Sequence, residues 1–200
     1  MSPEQEVERV AKDHLSRRVK RLISLATSLL AVGLWYVSTH HPSLLSSVAA
    51  NQPGLYRVVG VDDGDTIKVA QNGQTETVRL IGMDTPEVKD PRKPVQCYGE
   101  QASSKTKSLV SGKSVRLVAD TIGDDRDKYH RLLRYVYLPD GTFLNELLVK
   151  QGYAFAYVVF PFDKIDQFKQ DEAQAHAAGI GLWKACTVDS SSEIKQTNPV

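Results

Sequence analysis

The sequence predicts an α+β chain, mainly β: a small five-stranded barrel with about three helices, preceded by one N-terminal helix long enough to cross a membrane. Three observations predict it. Five short apolar-alternating runs are separated by turn residues between Leu55 and Leu138. Helix-patterned segments are inserted after the third and the fifth of those runs. A charged leader precedes an apolar run that carries no charge.

Met1 to Arg21 is highly charged and ends in Arg17-Arg18-Val19-Lys20-Arg21. Leu22 to Thr39 is 18 residues without a charge, about 27 Å as a helix, against a bilayer core of about 30 Å. Trp35 and Tyr36 stand at its far end, where interfacial aromatics belong. The basic cluster lies before the run, and no Lys or Arg follows until Arg57. That asymmetry places the N-terminus in the cytoplasm and everything after Thr39 outside. The rival is a cleaved signal peptide, with Ser47-Val48-Ala49 offering small residues for a peptidase; the uncleaved anchor is the preferred reading, because the leader and the apolar run are both long. Residues 40–54, with Pro42, Pro53 and Gly54, form a linker.

Residues 55–187 are the domain. Leu55–Val61 alternates as a strand, Asp62-Asp63-Gly64-Asp65 turns, and Thr66–Ala70 returns. Asn72-Gly73 is a hairpin signal, and Gln74–Met83 is the third strand. This meander brings Asp65 alongside Asp84. Asp84-Thr85-Pro86-Glu87 ends the strand, because Pro86 has no N–H to give a ladder. One short element therefore carries a cation, Arg79, and two carboxylates three positions apart, Asp84 and Glu87. Residues 89–94, Lys-Asp-Pro-Arg-Lys-Pro, are a mobile basic loop. Gly99–Ser111 is helical, with Ala102, Thr106, Leu109 and Val110 on one face and Gly112 ending it. Ser114–Ala119 is the fourth strand. Asp124–Arg131 is a densely charged loop, and Leu133–Leu138 is the fifth strand. Phe143–Gln151 is a short helix capped by Gly152, and Ile165–Ala178 is a longer one ended by Gly179, with Trp183 packing back on the body. Residues 188–200 read as a disordered tail.

The formal net charge is +1, and charged residues are 24% of the chain. That excludes a polyelectrolyte or a basic coat protein, so a nucleic-acid contact must come from a few placed cations. The two cysteines, Cys97 and Cys186, have no zinc spacing. Both flank the domain body, and in an oxidising compartment they are expected to pair.

Three motifs in order resemble one family. Asp63-Gly64-Asp65-Thr66, then Arg79-Leu80 through Asp84-Thr85-Pro86-Glu87, then Asp127-Lys128-Tyr129-His130-Arg131 look like the motif set of the staphylococcal nuclease (thermonuclease) family. The resemblance runs from about Tyr56 to Trp183 and takes in Asn145-Glu146, Gln151-Gly152 and the helix with Glu172-Ala173-Gln174-Ala175. It implies an OB-fold barrel with three helices. It also implies a calcium-dependent phosphodiesterase that cleaves the 5′-O–P bond of DNA and RNA and leaves 3′-phosphates. By position, Asp65 and Asp84 would be calcium carboxylates and the Thr85 carbonyl a third ligand. Glu87 would activate water, Arg79 and Arg131 would hold the phosphate, and Lys128, Tyr129 and Tyr157 would line the nucleotide pocket. His130 stands where the family's prototype has glycine.

Those residue types suit the reaction. Forked arginine donors fit the equatorial oxygens of a five-coordinate phosphorus, where charge grows. A hard divalent ion takes oxygen ligands and polarises the same phosphate. Two carboxylates and one carbonyl leave calcium positions to water and substrate, so affinity should be weak, about 10⁻⁴–10⁻³ M. A carboxylate near one water supplies a base worth about 10²–10⁴-fold. An OB groove with Tyr129 and Tyr157 favours single strands, on a monomer. The plainer alternatives make Asp65 a turn residue, Arg79 a structural partner of Glu87, Arg131 part of a solvated charge run, and both tyrosines barrel packing. The rival function is a non-catalytic OB-fold module, tethered to a membrane, that binds nucleic acid or protein.

Overall fold

The computed structural model describes residues 54–91 and 94–200, together with residue 28. Every named element lies within the unit Ala50–Val200. In chain order these are β1 (Leu55–Asp63), β2 (Thr66–Gln71), β3 (Gln74–Leu80), β4 (Met83–Asp84), α1 (Gly99–Val110), β5 (Ser114–Val118), β6 (Leu132–Tyr137), α2 (Leu144–Lys150), β7 (Phe155–Ala156), α3 (Ile165–Ala177), α4 (Leu182–Ala185), β8 (Val188–Asp189) and β9 (Gln196–Thr197).

Five of the strands close a barrel in the order β1-β2-β3-β6-β5. All its pairings are antiparallel except β3 with β6, which is parallel. β1 serves two neighbours. Leu55–Arg57 pair with Arg116–Ser114 of β5, and the rest of the strand pairs with β2. Register shifts between Val58 and Gly60 and between Val61 and Asp63 let β1 coil between the two. Asn72 (φ 50°) and Gly73 (φ 78°) make the two-residue turn that fixes the β2–β3 register, with Gln71 opposite Gln74. Ile67, Val69, Val78, Leu80, Val115 and Val136 fill the barrel at zero exposure. Leu144 and Leu148 of α2 and Phe168 of α3 belong to the same fully buried core.

Five strands were expected and their centres are where the alternation put them. Four differences are informative. The third strand is not continuous to Met83: it stops at Leu80, and Met83–Asp84 pair instead with β7, Met83 opposite Ala156 and Asp84 opposite Phe155. The break is Gly82, at φ 77°, where a Cβ would lie 2.7 Å from the Phe162 ring. β1 runs on through Asp63, which shortens the expected four-residue turn to Gly64-Asp65. Between residues 54 and 200 the described helices number four, the fourth being the single turn Leu182–Ala185 that carries Trp183 against Phe155 (ring centroids 5.3 Å). Residues 188–200 are not a disordered tail: β8 and β9 form a hairpin, and Thr197 is buried. Polar composition suggested disorder there, but bonds to the sequence-distant residues 95–97 supply the order.

Cys97 and Cys186 form a disulfide, as expected, with Cα atoms 5.9 Å apart. Among the described residues no helix is long and apolar enough to cross a membrane. The segment read as an anchor, residues 22–39, lies outside the described residues apart from residue 28, as do the charged leader and most of the linker. Of the basic loop, residues 92 and 93 lie outside them too.

Candidate active site

The site forms where three strands of the barrel reach one end. The β1–β2 turn presents Asp65, and β3 presents Arg79 directly opposite Thr66. The Leu80 N–H donates to the Asp65 carbonyl (2.9 Å), tying that turn to the end of β3. After the Gly82 break the chain delivers Asp84 and Thr85. Arg79 joins all of these. Its Nη1 donates to the carbonyls of Leu80 (3.1 Å) and Met83 (2.7 Å). Its Nη2 lies 2.6 Å from Asp84 Oδ1 and 3.1 Å from Asp65 Oδ2. The side chain is only 13% exposed. Burial, the largest influence, opposes its charge, yet Asp65 and Asp84 outweigh burial and raise its pKa above the ordinary arginine value. The structural partner of Arg79 is therefore this aspartate pair, not Glu87.

Asp65 is itself buried. Its Oδ1 accepts the Thr66 hydroxyl (2.8 Å) and its Oδ2 the Thr85 N–H (3.2 Å). Thr85 packs against Gly64 so closely that a Cβ there would lie 2.7 Å from Thr85 Cγ2 and 2.9 Å from its Oγ1. That Oγ1 is buried and has no hydrogen-bond partner. An orphaned oxygen on the residue whose N–H binds Asp65, with no nitrogen or sulfur donor in the set, fits a hard cation such as calcium. Among the described residues no group of three or more His, Cys, Asp or Glu is placed to hold a metal ion. Asp65, Asp84 and Thr85 include only two such residues.

Glu87 is held differently. Its Oε1 accepts three consecutive backbone N–H groups, from Val88 (3.0 Å), Lys89 (2.8 Å) and Asp90 (3.0 Å), which fixes the carboxylate on its loop. Beside it lies Asp63. Burial first, then Asp65 and Glu87, push the Asp63 carboxyl up to about 7, against the pull of the Gly64 N–H that it accepts at 2.7 Å. Four acidic residues, 63, 65, 84 and 87, thus crowd one end of the barrel with Arg79 among them. Sequence reading gave Asp63 no role; its place in the Asp-Gly-Asp turn was the available signal.

The second arginine comes from the charged loop before β6. Asp127 organises that loop. Its Oδ1 accepts the N–H groups of Tyr129 (2.9 Å) and Arg131 (3.0 Å), and its Oδ2 binds Arg131 Nε (2.7 Å) and Nη2 (2.6 Å). Burial opposes the Asp127 charge, but the Arg131 side chain and N–H lower its pKa below the usual carboxylate value. His130 holds φ 63°, so the loop keeps a left-handed residue where the resemblance led one to expect glycine. Arg131 immediately precedes Leu132, which pairs with Val78, the neighbour of Arg79. The structure records no direct contact between the two arginines, but Asp127 acts electrostatically on Arg79. Tyr129 is 63% exposed, with Lys128 Nζ 5.1 Å and the Arg131 guanidinium 5.3 Å from its ring centre.

Tyr157 follows β7, and its N–H donates to the Gly82 carbonyl (2.9 Å) at the break before β4. Burial raises its pKa, Asp84 adds to this, and Arg79 and Lys128 oppose it. Phe160, 66% exposed, lies 6.1 Å from it ring to ring. A further positioning residue escaped sequence reading: Asn145. Fully buried, it accepts the Val136 N–H (2.9 Å) and donates to the carbonyls of Ile81 (3.0 Å) and Arg134 (3.2 Å). It thereby fixes β6 against the chain entering the Gly82 break.

Comparison with known proteins follows from this geometry. A model of the family described as Staphylococcal nuclease homologue matches residues 77–185. The match includes Arg79, Asp84, Thr85, Glu87 and Arg131, and begins after Asp63 and Asp65. The chain is 51% identical over 123 residues to the SPbeta prophage-derived endonuclease YokF of Bacillus subtilis (strain 168), covering 60% of this chain and 41% of that protein. It is 50% identical over 123 residues to the Endonuclease YncB of the same organism, covering 60% of this chain and 57% of that protein. The chain thus spans about half the length of these two relatives. With the Thermonuclease of Staphylococcus intermedius it shares 38% identity over 164 residues, covering 82% of this chain and 95% of that protein.

Proposed function

The chain belongs to the staphylococcal nuclease family, and from that premise we propose that it is a calcium-dependent phosphodiesterase that hydrolyses DNA and RNA. The observation that carries the reading is the Arg79 cluster: one forked cation bridging two carboxylates, beside a buried threonine oxygen without a partner. In this reading Asp65, Asp84 and the Thr85 carbonyl would hold the ion, which when bound supplies positive charge at the scissile phosphate.

The chain's own residues do the rest. Glu87, its carboxylate oriented by three N–H donors, takes a proton from the attacking water. The water oxygen bonds to phosphorus as the 5′-O–P bond breaks, the 5′ oxygen leaves as a hydroxyl with a proton taken from solvent, and the phosphate stays on the 3′ side. Arg79 and Arg131 balance the charge that develops on the equatorial oxygens. Lys128, Tyr129 and Tyr157 hold the nucleotide by charge and stacking, and single strands present their bases to these rings more readily than duplex. The Cys97–Cys186 disulfide supports placing the domain outside the cytoplasm. There it is tethered by residues 22–39, or secreted if that segment is cleaved.

The test is cleavage of single-stranded DNA by the full chain, with calcium and with chelator, beside Glu87→Gln. Cleavage that needs calcium and falls at least 100-fold in the variant is expected. A folded chain that binds the strand but leaves it intact under every divalent cation would instead establish the non-catalytic module.

A further inference from the structure

We propose that the C-terminal hairpin and the Cys97–Cys186 disulfide together form a strap that sets the position of Glu87, with Gln96 as the positioning residue between them. The inference rests on Glu87 being the base.

The chain of contacts is short and continuous. Glu87 and Gln96 grip each other twice: the Glu87 N–H donates to Gln96 Oε1 (2.8 Å), and the Gln96 N–H donates to the Glu87 carbonyl (2.9 Å). Gln96 is 8% exposed, so both bonds are shielded from water. On its far side Gln96 meets the strap. Its Nε2 donates to Gln196 Oε1 (3.3 Å), and its backbone bridges antiparallel to Pro199. The flanking residues do the same. Cys97 N donates to the Asn198 carbonyl (2.8 Å), the Thr197 hydroxyl donates to the Cys97 carbonyl (2.8 Å), and Val200 N donates to the Val95 carbonyl (3.0 Å). Residues 95–97 are therefore a middle strand, with Glu87 bonded on one side and the C-terminus on the other.

The disulfide closes this arrangement covalently. Cys97 is the neighbour of Gln96, and Cys186 lies just before the strap, whose open base is pinned by reciprocal bonds between Thr187 and Asn198 (N–H to Oδ1 2.9 Å, N–H to carbonyl 3.0 Å). A second tie reaches the other carboxylate strand. Lys195 Nζ pairs with Glu172 (3.0 Å), and Glu172 Oε1 accepts the N–H of Ala156, which lies opposite Met83. Among the described residues the strap's hydrogen bonds and ion pairs do not reach Asp65, Arg79 or Arg131, and its direct bonds are to the segment that holds Glu87, so its effect falls chiefly on the base.

A consequence is redox dependence. Forming the disulfide removes two protons and two electrons from the thiols of Cys97 and Cys186, taken up by an oxidant of the disulfide class that becomes two thiols. A chain still in a reducing compartment therefore lacks the covalent half of the strap, and its Glu87 loop is less firmly set.

The experiment measures calcium-dependent cleavage of a short single-stranded oligonucleotide by the full chain. Four proteins are compared: wild type, the paired change Cys97→Ser with Cys186→Ser, a chain ending at residue 190, and Gln96→Ala. Each is also made with Glu87→Gln. Thermal unfolding confirms that each is folded. The expected result is a fall of about three- to tenfold in kcat for each strap variant, with KM and the calcium midpoint within twofold. A phosphine reductant, which takes oxygen from water as the two sulfurs gain protons, should reproduce the loss in wild type and leave the serine protein unchanged. With Glu87→Gln present the strap variants should cost nothing further, because they act through the residue already removed. A merely structural role would lower activity equally in both backgrounds, or would move KM and the calcium midpoint; either result overturns the proposal, as does kcat within twofold of wild type in folded variants. Wild-type rates from Glu87→Gln itself would instead overturn the reading of Glu87 as base.

Discussion

Replacing Arg79 by lysine keeps the charge and removes the fork, which separates what each contributes. The guanidinium spends Nη1 on the carbonyls of Leu80 and Met83 and Nη2 on Asp84 and Asp65. An ammonium is a single point with three donors, so it can stay near a carboxylate but cannot span all four oxygens. The loss is chiefly the two backbone bonds, at about 0.5–1.5 kcal/mol each, or about 1–3 kcal/mol in all. For a domain of this size that lowers the melting midpoint by about 3–9 °C. Arg79→Ala should cost more, about 3–5 kcal/mol, because it leaves two carboxylates together without a cation. Calcium should then recover more stability in Arg79→Ala than in wild type. In catalysis, losing a donor aimed at a developing charge typically costs about 10²–10³ in kcat. The assays are thermal unfolding with and without calcium, and steady-state cleavage of a single-stranded oligonucleotide. A lysine variant melting within 1 °C of wild type would refute the bonding account. One that melts low yet turns over within threefold of wild type would show that Arg79 is a structural bridge alone.

Two other expectations use parts of the molecule outside that cluster. Phe160 is an exposed ring beside Tyr157; Phe160→Ala should leave stability within about 0.5 kcal/mol but reduce kcat/KM on long single strands by about 5- to 100-fold, the worth of one stacked base, and much less on a dinucleotide. Burial opposes the Asp120 charge, yet the N–H groups of Asp163, Ile122 and Gly123 and the Tyr135 hydroxyl hold its carboxyl well below the usual range; a depressed folded pKa gives stability that is present above the unfolded value, about 4, and is lost as pH falls further, so acid melting curves should be shallower for Asp120→Asn than for wild type.

The barrel was legible because its signals are local. Val78 and Leu80 alternate with polar neighbours, and Asn72-Gly73 can make only a tight hairpin. The break after Leu80 was not, since Ile81 and Met83 are as apolar as strand residues and the steric limit at Gly82 comes from Phe162, 80 positions away. Nor was the order of residues 188–200, where a serine-rich polar stretch suggests disorder until a cysteine 89 positions earlier anchors it. The site shows the same division. The resemblance carried by three motifs in order pointed to Asp65, Arg79, Asp84, Glu87 and Arg131 as candidates. It could not show that Arg79 serves both aspartates, that Asp63 presses on Glu87, or that Asn145 ties Ile81 to β6, because each is a contact between distant segments.

His130 tests how far a motif can depart without changing its geometry. At φ 63° a side chain costs about 1–2 kcal/mol relative to ordinary helical backbone, which is the reason to expect glycine there. Glycine would relieve that strain but give the unfolded chain about 0.5–1 kcal/mol more entropy to lose. His130→Gly should therefore stabilise by about 0–1.5 kcal/mol. Its effect on kcat should be under twofold, because the direction of Arg131 is set by Asp127 through one backbone and two side-chain bonds, none of which involves the imidazole. The turn is also held from outside, by His130 N to the Asp127 carbonyl (2.9 Å) and by Arg126 Nη1 to the His130 carbonyl (2.7 Å), bonds that glycine retains. Thermal unfolding and steady-state cleavage decide it. A rise in kcat of tenfold or more would mean that histidine does misdirect Arg131, and that Asp127 does not by itself fix the second arginine.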